Sequence, residues 1–313
     1  FSFSNGAGGA VFWSGDDGTF SDCVFTGNSV NLRNLDNISY FGGGAVFWNG
    51  ANGRLSNCIF NGNSINLINV TNVDFVGGAA VFWNGTSGNL SECIFTNNFF
   101  TVDDNKLGLR GCVLWNGVNG VLTDCNFINN TISNGAAINW AGANGTLTDS
   151  NFTNNTATNA AGAIRWGGLN GIISGCNFTN NKGRYEGGAI RWDVANGKII
   201  NSTFINNSAS DGGAIYWLGI NGKLINSTFI SNIGSNGGGA IRWSGANGTL
   251  TDSNFNDNNC PYGGAIHWGG ANGTLTGSNF TNNYGSNGGG VFWSGIHGIL
   301  INGNFINNYV TTG

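Results

Sequence analysis

Charge is what this sequence has least of. Lys, Arg, Asp and Glu together make 8% of 313 residues, against roughly a quarter in ordinary soluble domains. The net charge is -4 and the isoelectric point near 4.9, which leaves no basic face and excludes recognition of a phosphate backbone. Nucleic acid is therefore not an expected partner. No apolar run reaches the roughly eighteen residues of a membrane-spanning helix, so no membrane span is expected. Proline occurs once and methionine not at all. No stretch carries the 3.6-residue stripe of an amphipathic helix. Phosphate-cradling loops and a Ser-His-Asp arrangement are absent, and the two histidines, His267 and His297, are too isolated to make a metal-ligand spacing. No catalytic residue, metal or cofactor is expected. A basic segment followed by an apolar leader is also missing at the start, so the chain reads as a mature or excised piece.

What is present is glycine and aromatics: 56 Gly, 22 Phe and 11 Trp. That much apolar ring surface excludes a disordered low-complexity chain. The tryptophans fall in rhythm at Trp13, Trp48, Trp83, Trp115, Trp140, Trp166, Trp192, Trp217, Trp243, Trp268 and Trp293. Twelve residues after each stands a phenylalanine: Phe25, Phe60, Phe95, Phe127, Phe152, Phe178, Phe204, Phe229, Phe255, Phe280 and Phe305. Three residues further on comes an asparagine: Asn28, Asn63, Asn98, Asn130, Asn155, Asn181, Asn207, Asn232, Asn258, Asn283 and Asn308. A Gly follows each Trp by five residues, from Gly18 to Gly298.

Between these marks lie short β-branched or aromatic runs separated by Gly and Asn, which is the chemistry of strands and bends. A unit of about 25 residues supplies three short strands and three bends, one turn of a coil, and cannot bury its apolar face unless turns stack. The expected fold is all-β: a right-handed, single-stranded parallel β-helix of about eleven turns. Stacked at ~4.8 Å it makes a rod roughly 50 Å long, its interior filled by Trp, Phe, Leu and Val/Ile ladders. The Asn ladder and the Gly five residues after Trp are expected at left-handed backbone positions. Residues 1-313 read as one domain. Turns with long corner inserts occupy 1-110, the inserts being 29-41, 64-76 and 99-109, and regular turns of 25-26 residues occupy 111-313. The inserts carry Leu32, Leu35, Ile38, Leu67, Ile68, Val70, Phe99, Phe100 and Leu107, and are expected to fold over an outward ladder of Phe12, Phe47, Phe82 and Leu114.

Two motifs recur: G-G-A-[ILV], as at Gly238-Ile241, and F-x-x-N, which is intact in every unit. Together they resemble the repeats of chlamydial polymorphic outer-membrane proteins. The longer form GGAIYWLGINGKLINSTFISN, Gly212 to Asn232, is similar to adhesin-like surface proteins of methanogenic archaea. The G-G-A-[IV] part is altered at Gly78-Val81, Gly111-Leu114, Gly135-Ile138, Ala161-Ile164 and Gly288-Val291. The resemblance implies a secreted, surface-displayed β-helix with an adhesive or wall-associated role, and it brings no catalytic residues.

Four groups of residues carry candidate chemistry. Cys23, Cys58, Cys93, Cys125 and Cys176 sit ten residues after their Trp, where other units have Ser or Gly, and read as buried free thiols. Cys112 replaces a buried Ala, whereas Cys260 beside Pro261 is expected at an exposed corner. Acids nine residues after Trp (Asp22, Glu92, Asp124, Asp149, Asp252), with the pairs Asp16-Asp17 and Asp103-Asp104, are candidate cation or carboxylate clusters, though solvated corners are the commoner reading. Arg165, Arg191, Tyr216, Arg242 and His267, each directly before a Trp, form a strip that suits acidic glycans or a partner surface. Asn151, Asn177 and Asn279 begin outward-facing N-x-[ST] sequons open to glycosylation.

The functional expectation is an extracellular structural or adhesive solenoid at the cell surface or in a filament, with glycans or further copies of itself as partners. Joining Gly313 to a second Phe1 gives a Phe-to-Trp interval of 8 + 13 = 21 residues, inside the 20 to 23 of the early turns, which leaves two readings open: a slice of a longer solenoid, or copies stacked end to end into a filament. The alternative is a carbohydrate-binding or polysaccharide-degrading β-helix.

Overall fold

The structure, a computed structural model, describes residues 4–36, 39–71, 74–102, 110–132 and 135–311. Every strand pair is parallel and joins equivalent positions of successive turns, so the chain is a parallel β-helix. Each regular turn has four faces, not three. In the seventh turn they are Ile190–Trp192, Lys198–Ile200, Thr203–Ile205 and Ser208–Asp211. The first three belong to sheets of thirteen, eleven and eleven strands, and the fourth to a sheet of eight. Isolated bridges at Asn259 carry the fourth face on to the strands Tyr284–Gly285 and Tyr309–Val310. The unexpected fourth strand comes from the stretch after the Asn ladder, which has no fixed aromatic to announce it.

Three-residue strands work because each side of the turn needs only one or two inward side chains. On the Trp face the two ends point in, as with Ile190 and Trp192 around half-exposed Arg191. On the Leu and Phe faces only the middle residue is buried, as with Ile199 and Phe204. Between strands the chain turns through one left-handed residue, four, nine and fourteen residues after every Trp. In the seventh turn these are Asn196 (φ 62°), Asn201 (φ 48°) and Asn206 (φ 54°). The five-residue step explains why Asn, Asp and Gly dominate there: they bear this conformation at least cost.

That pattern corrects two expectations. The Gly five residues after Trp is not left-handed; the residue before it is. Its lack of a side chain serves the indole instead, since a Cβ on Gly197 would lie 2.2 Å from the Trp192 ring. Likewise the ladder asparagines do not turn the chain, and the residue preceding each of them does.

The core is a pair of aromatic stacks. Trp48 through Trp268 are fully buried, and neighbouring indoles lie 4.6 to 5.3 Å apart, nearly parallel. The Phe rings stack beside them at 4.6 to 5.0 Å. These spacings are the strand separation itself, which holds the rings in the offset-stacked range.

The long inserts of the first turns widen two faces. Ser29–Asp36 and Ser64–Thr71 are eight-residue strands on the fourth face. Ser4–Gly8 and Ser39–Gly43, with the leading part of Asp74–Trp83, extend the Trp-face sheet. Phe47, Phe82 and Leu114 form a buried cluster separate from the main core, whereas Phe12 is 53% exposed. Val30, Ile65 and Leu67 make a second satellite cluster with Leu32 and Phe100. The insert residues Ile38 and Leu107 lie outside the described residues.

Candidate functional site

The strip before the tryptophans is where the repeat varies most in chemistry. Parallel register aligns Arg165, Arg191, Tyr216, Arg242, His267 and Phe292 on six consecutive turns, all projecting from the outer side of the Trp face. A second row runs beside it, six residues before each Trp: Glu186, Asp211, Gly237, Tyr262 and Asn287. Sequence reasoning found the first row and missed the second. The missed signal was a fixed offset from Trp at which the residue type changes every turn.

The two halves of the strip differ. Arg165 Nε is 2.8 Å from Asp193 Oδ2, and Arg191 Nε is 2.6 Å from Asp193 Oδ1. Arg191 also pairs with Glu186 of its own turn. Both guanidiniums are thus compensated by carboxylates. Among the described residues Arg242 makes no ion pair. Its guanidinium lies against the His267 ring, 2.9 Å from Nε2 and in contact with Nδ1. His267 is only 9% exposed. Burial, with the Arg242 charge second, lowers its pKa to about 4, so near neutrality the imidazole accepts from the guanidinium. Ser294 Oγ lies 3.3 Å from Nε2. The Phe292 ring meets the imidazole edge-on at 4.7 Å, and Tyr262, 44% exposed, flanks it at 6.4 Å.

The acids nine residues after Trp are corner formers. Asp22, Glu92, Asp124, Asp149 and Asp252 all have positive φ, and Asn or Gly takes the same conformation in other turns. Of the paired acids, Asp16 accepts from the Ala51 N–H at 2.7 Å and Asp17 from Asn52 Nδ2 at 3.1 Å. Asp103-Asp104 lie outside the described residues. Among the described residues no three His, Cys, Asp or Glu groups are placed to hold a metal ion, and no helix is long and apolar enough to cross a membrane.

All seven cysteines are free thiols. Each ladder thiol acts as a small hydrogen-bonding group: Cys58 N–H donates to Cys93 Sγ at 3.3 Å, and Cys58 Sγ to the Ser56 carbonyl at 3.1 Å. Ser202 and Ser227 repeat this geometry with hydroxyls, which is why Ser and Cys interchange. The hydrogen bond from Cys125, with burial, pushes the Cys93 thiol up to about 12. Cys260 corrects an expectation. It is fully buried beneath its corner, and burial raises its pKa to about 11, so it is not a reactive surface thiol.

Asn151, Asn177 and Asn279 face solvent. Their amides are already joined in outward ladders: Asn151 Nδ2 to Asn126 at 3.0 Å, Asn177 Nδ2 to Asn151 at 2.9 Å and Asn279 Nδ2 to Asn254 at 2.8 Å. Compared with known proteins, the chain matches no family model and no curated protein.

Proposed function

We propose that the chain is a structural and adhesive rod: an extracellular, surface-displayed β-solenoid in the manner of the adhesin-like proteins its repeats resemble. The observation that supports this reading is continuity. Trp, Phe and Asn ladders run through all eleven turns without a break. An enzyme groove interrupts its scaffold to gather acids, whereas here the recurrent acids are spent on corners and ion pairs. Low charge and dense amide and hydroxyl ladders suit a scaffold whose chemistry is self-pairing. In the last turn Leu300 and Phe305 are 45% and 44% exposed, where Leu275 and Phe280 of the turn before are fully buried.

Electron microscopy of the purified chain tests the reading. Stiff rods, alone or joined along their axis, are expected, with no release of reducing ends from acidic or neutral polysaccharides. Turnover of a polysaccharide would sink the proposal in favour of a degrading enzyme.

A further inference from the structure

Charges on the outer side of the Leu and Phe faces are ordered along the rod. The corner between these faces, nine residues after Trp, carries Glu92, Asp124 and Asp149 on the third, fourth and fifth turns, all exposed and stacked in one hydrogen-bonded column. The same column continues through Gly175, Asn201 and Asn226, so the corner itself needs no charge. On the seventh and eighth turns the sign reverses: Lys198 and Lys223 are direct cross-strand partners on the Leu face. Like charges opposed in a ladder cost stability. Among the described residues none of these five groups makes an ion pair. One turn beyond each block the sign changes again, with exposed Arg54 on the second turn and exposed Asp252 on the ninth. The sixth turn, Ile172–Ser174 and Asn177–Thr179, is neutral on both faces.

From the second turn to the ninth the order is thus one base, three acids, a neutral turn, two bases and one acid. A two-fold axis crossing the corner between the fifth and sixth turns sets turn four of one copy against turn seven of another, three against eight and two against nine. Each of these pairs joins opposite charges, in both directions, and no turn meets its own sign. Apolar groups collect in the same places. Ile200 and Ile225, with Ile205 and Ile230 around the corner, stand half-buried where most other turns have Ser, Thr or Asn. The acidic turns answer with exposed Ile94 and Val121. We infer that this corner, with its two faces, is a docking surface for a second copy of the chain, the rods lying side by side and antiparallel. Self-complementary charge selects the occupant, and an isologous contact of this kind closes on a pair instead of growing. The pair overlaps along turns two to nine, roughly 35 Å at ~4.8 Å per turn. It goes beyond the adhesive reading and does not depend on it.

Sedimentation velocity and small-angle X-ray scattering of the whole chain test this. A reversible dimer is expected in dilute buffer, with a larger cross-section than the monomer and nearly the same length. Raising salt from about 50 to about 500 mM is expected to weaken it at least about tenfold. Lys198→Glu with Lys223→Glu sets acid against acid and is expected to abolish the dimer. Glu92→Asn, Asp124→Asn and Asp149→Asn together supply the residue that Asn201 and Asn226 already place at this corner, and are expected to weaken it at least about tenfold. Mixing these two folded variants is expected to give a heterodimer tighter than either homodimer, because one acid-to-lysine contact is intact. Arg165→Gln, on the Trp face, is expected to change nothing. A monomer up to about 1 mM chain, a dimer indifferent to salt and to both sets of substitutions, no gain on mixing, or association only end to end each overturns the surface.

Discussion

At the residue scale the fold rests on positions where one atom more is too many, and on others where conformation alone matters. Asn221 and Gly222 are adjacent and belong to opposite kinds. Asn221 is left-handed (φ 56°), while a Cβ on Gly222 would lie 2.4 Å from Trp217 Nε1, in an indole that is fully buried. Asn221→Gly keeps the conformation and loses only the exposed amide bonds to Asn196 and from Asn247, a cost of about 1 kcal/mol, and Gly222→Ala should cost about 3 kcal/mol or more because the stack cannot shift for one ring alone. Guanidinium denaturation compares them; equal effects would remove the steric argument. His267 makes the second residue-scale prediction. Its folded pKa is about 4 against an ordinary value of 6.5, with burial first and Arg242 second as causes. Unfolding thus takes up a proton between these values. This contribution to stability is whole above pH 6.5 and declines as pH falls to about 4, by about 3 kcal/mol in all. Asp211 and Arg242 also approach the imidazole from the two preceding turns, with Tyr262 of its own turn, so wild type must be compared with His267→Gln. The variant should lose that segment of the pH profile and keep the rest.

At the scale of the element, the ladder is the unit, and each ladder tolerates what keeps its hydrogen bonds. Cys93 lies between Cys58 and Cys125 and is matched in later turns by Ser. Cys93→Ser should change stability by less than about 1.5 kcal/mol, whereas Cys93→Val, which removes donor and acceptor, should cost about 2 kcal/mol. A thiol reagent should modify Cys23 first, since it alone of the seven is not buried, and the six others only on unfolding; rapid labelling of Cys260 in folded protein would contradict its burial. The ladders were largely legible in the sequence, because Trp, Phe and Asn recur at offsets that parallel stacking alone explains. The left-handed corners were misplaced by one residue. Gly was read for its backbone freedom, when in Gly197 its role is to leave room for Trp192, and only the tertiary position of the indole reveals that. Of the candidate site, Arg242 and His267 were legible from their offset to Trp. The pairing of Arg191 was not, because Glu186 and Asp193 come beside its guanidinium only when the chain is coiled.

At the scale of the whole molecule, a solenoid has no centre, and its stability is close to a sum over turns and the interfaces between them. Each turn here pairs with its two neighbours through the same register, Trp on Trp and Phe on Phe. Any segment of one full period can therefore be excised if the cut joins equivalent positions. Removal of residues 141–166, the 26-residue interval from Trp140 to Trp166, places Gly167 directly after Trp140 and leaves every remaining ladder in register. The shortened chain should fold with the same proportion of strand, show a rod shorter by about one strand spacing of ~4.8 Å, and unfold at a slightly lower denaturant concentration. Removal of residues 154–166 alone, half that interval, deletes Asn155 and Trp166 while keeping Phe152, so both the amide and the indole ladders are interrupted. Asn130 then loses the carbonyl that its amide and backbone N–H both donate to, at 3.0 and 3.1 Å, in a buried site. The half-period deletion should be far more destabilising than the deletion twice its size. Circular dichroism and guanidinium unfolding of the two variants decide the matter: if the smaller deletion is the milder one, the ladders are not what holds this rod together.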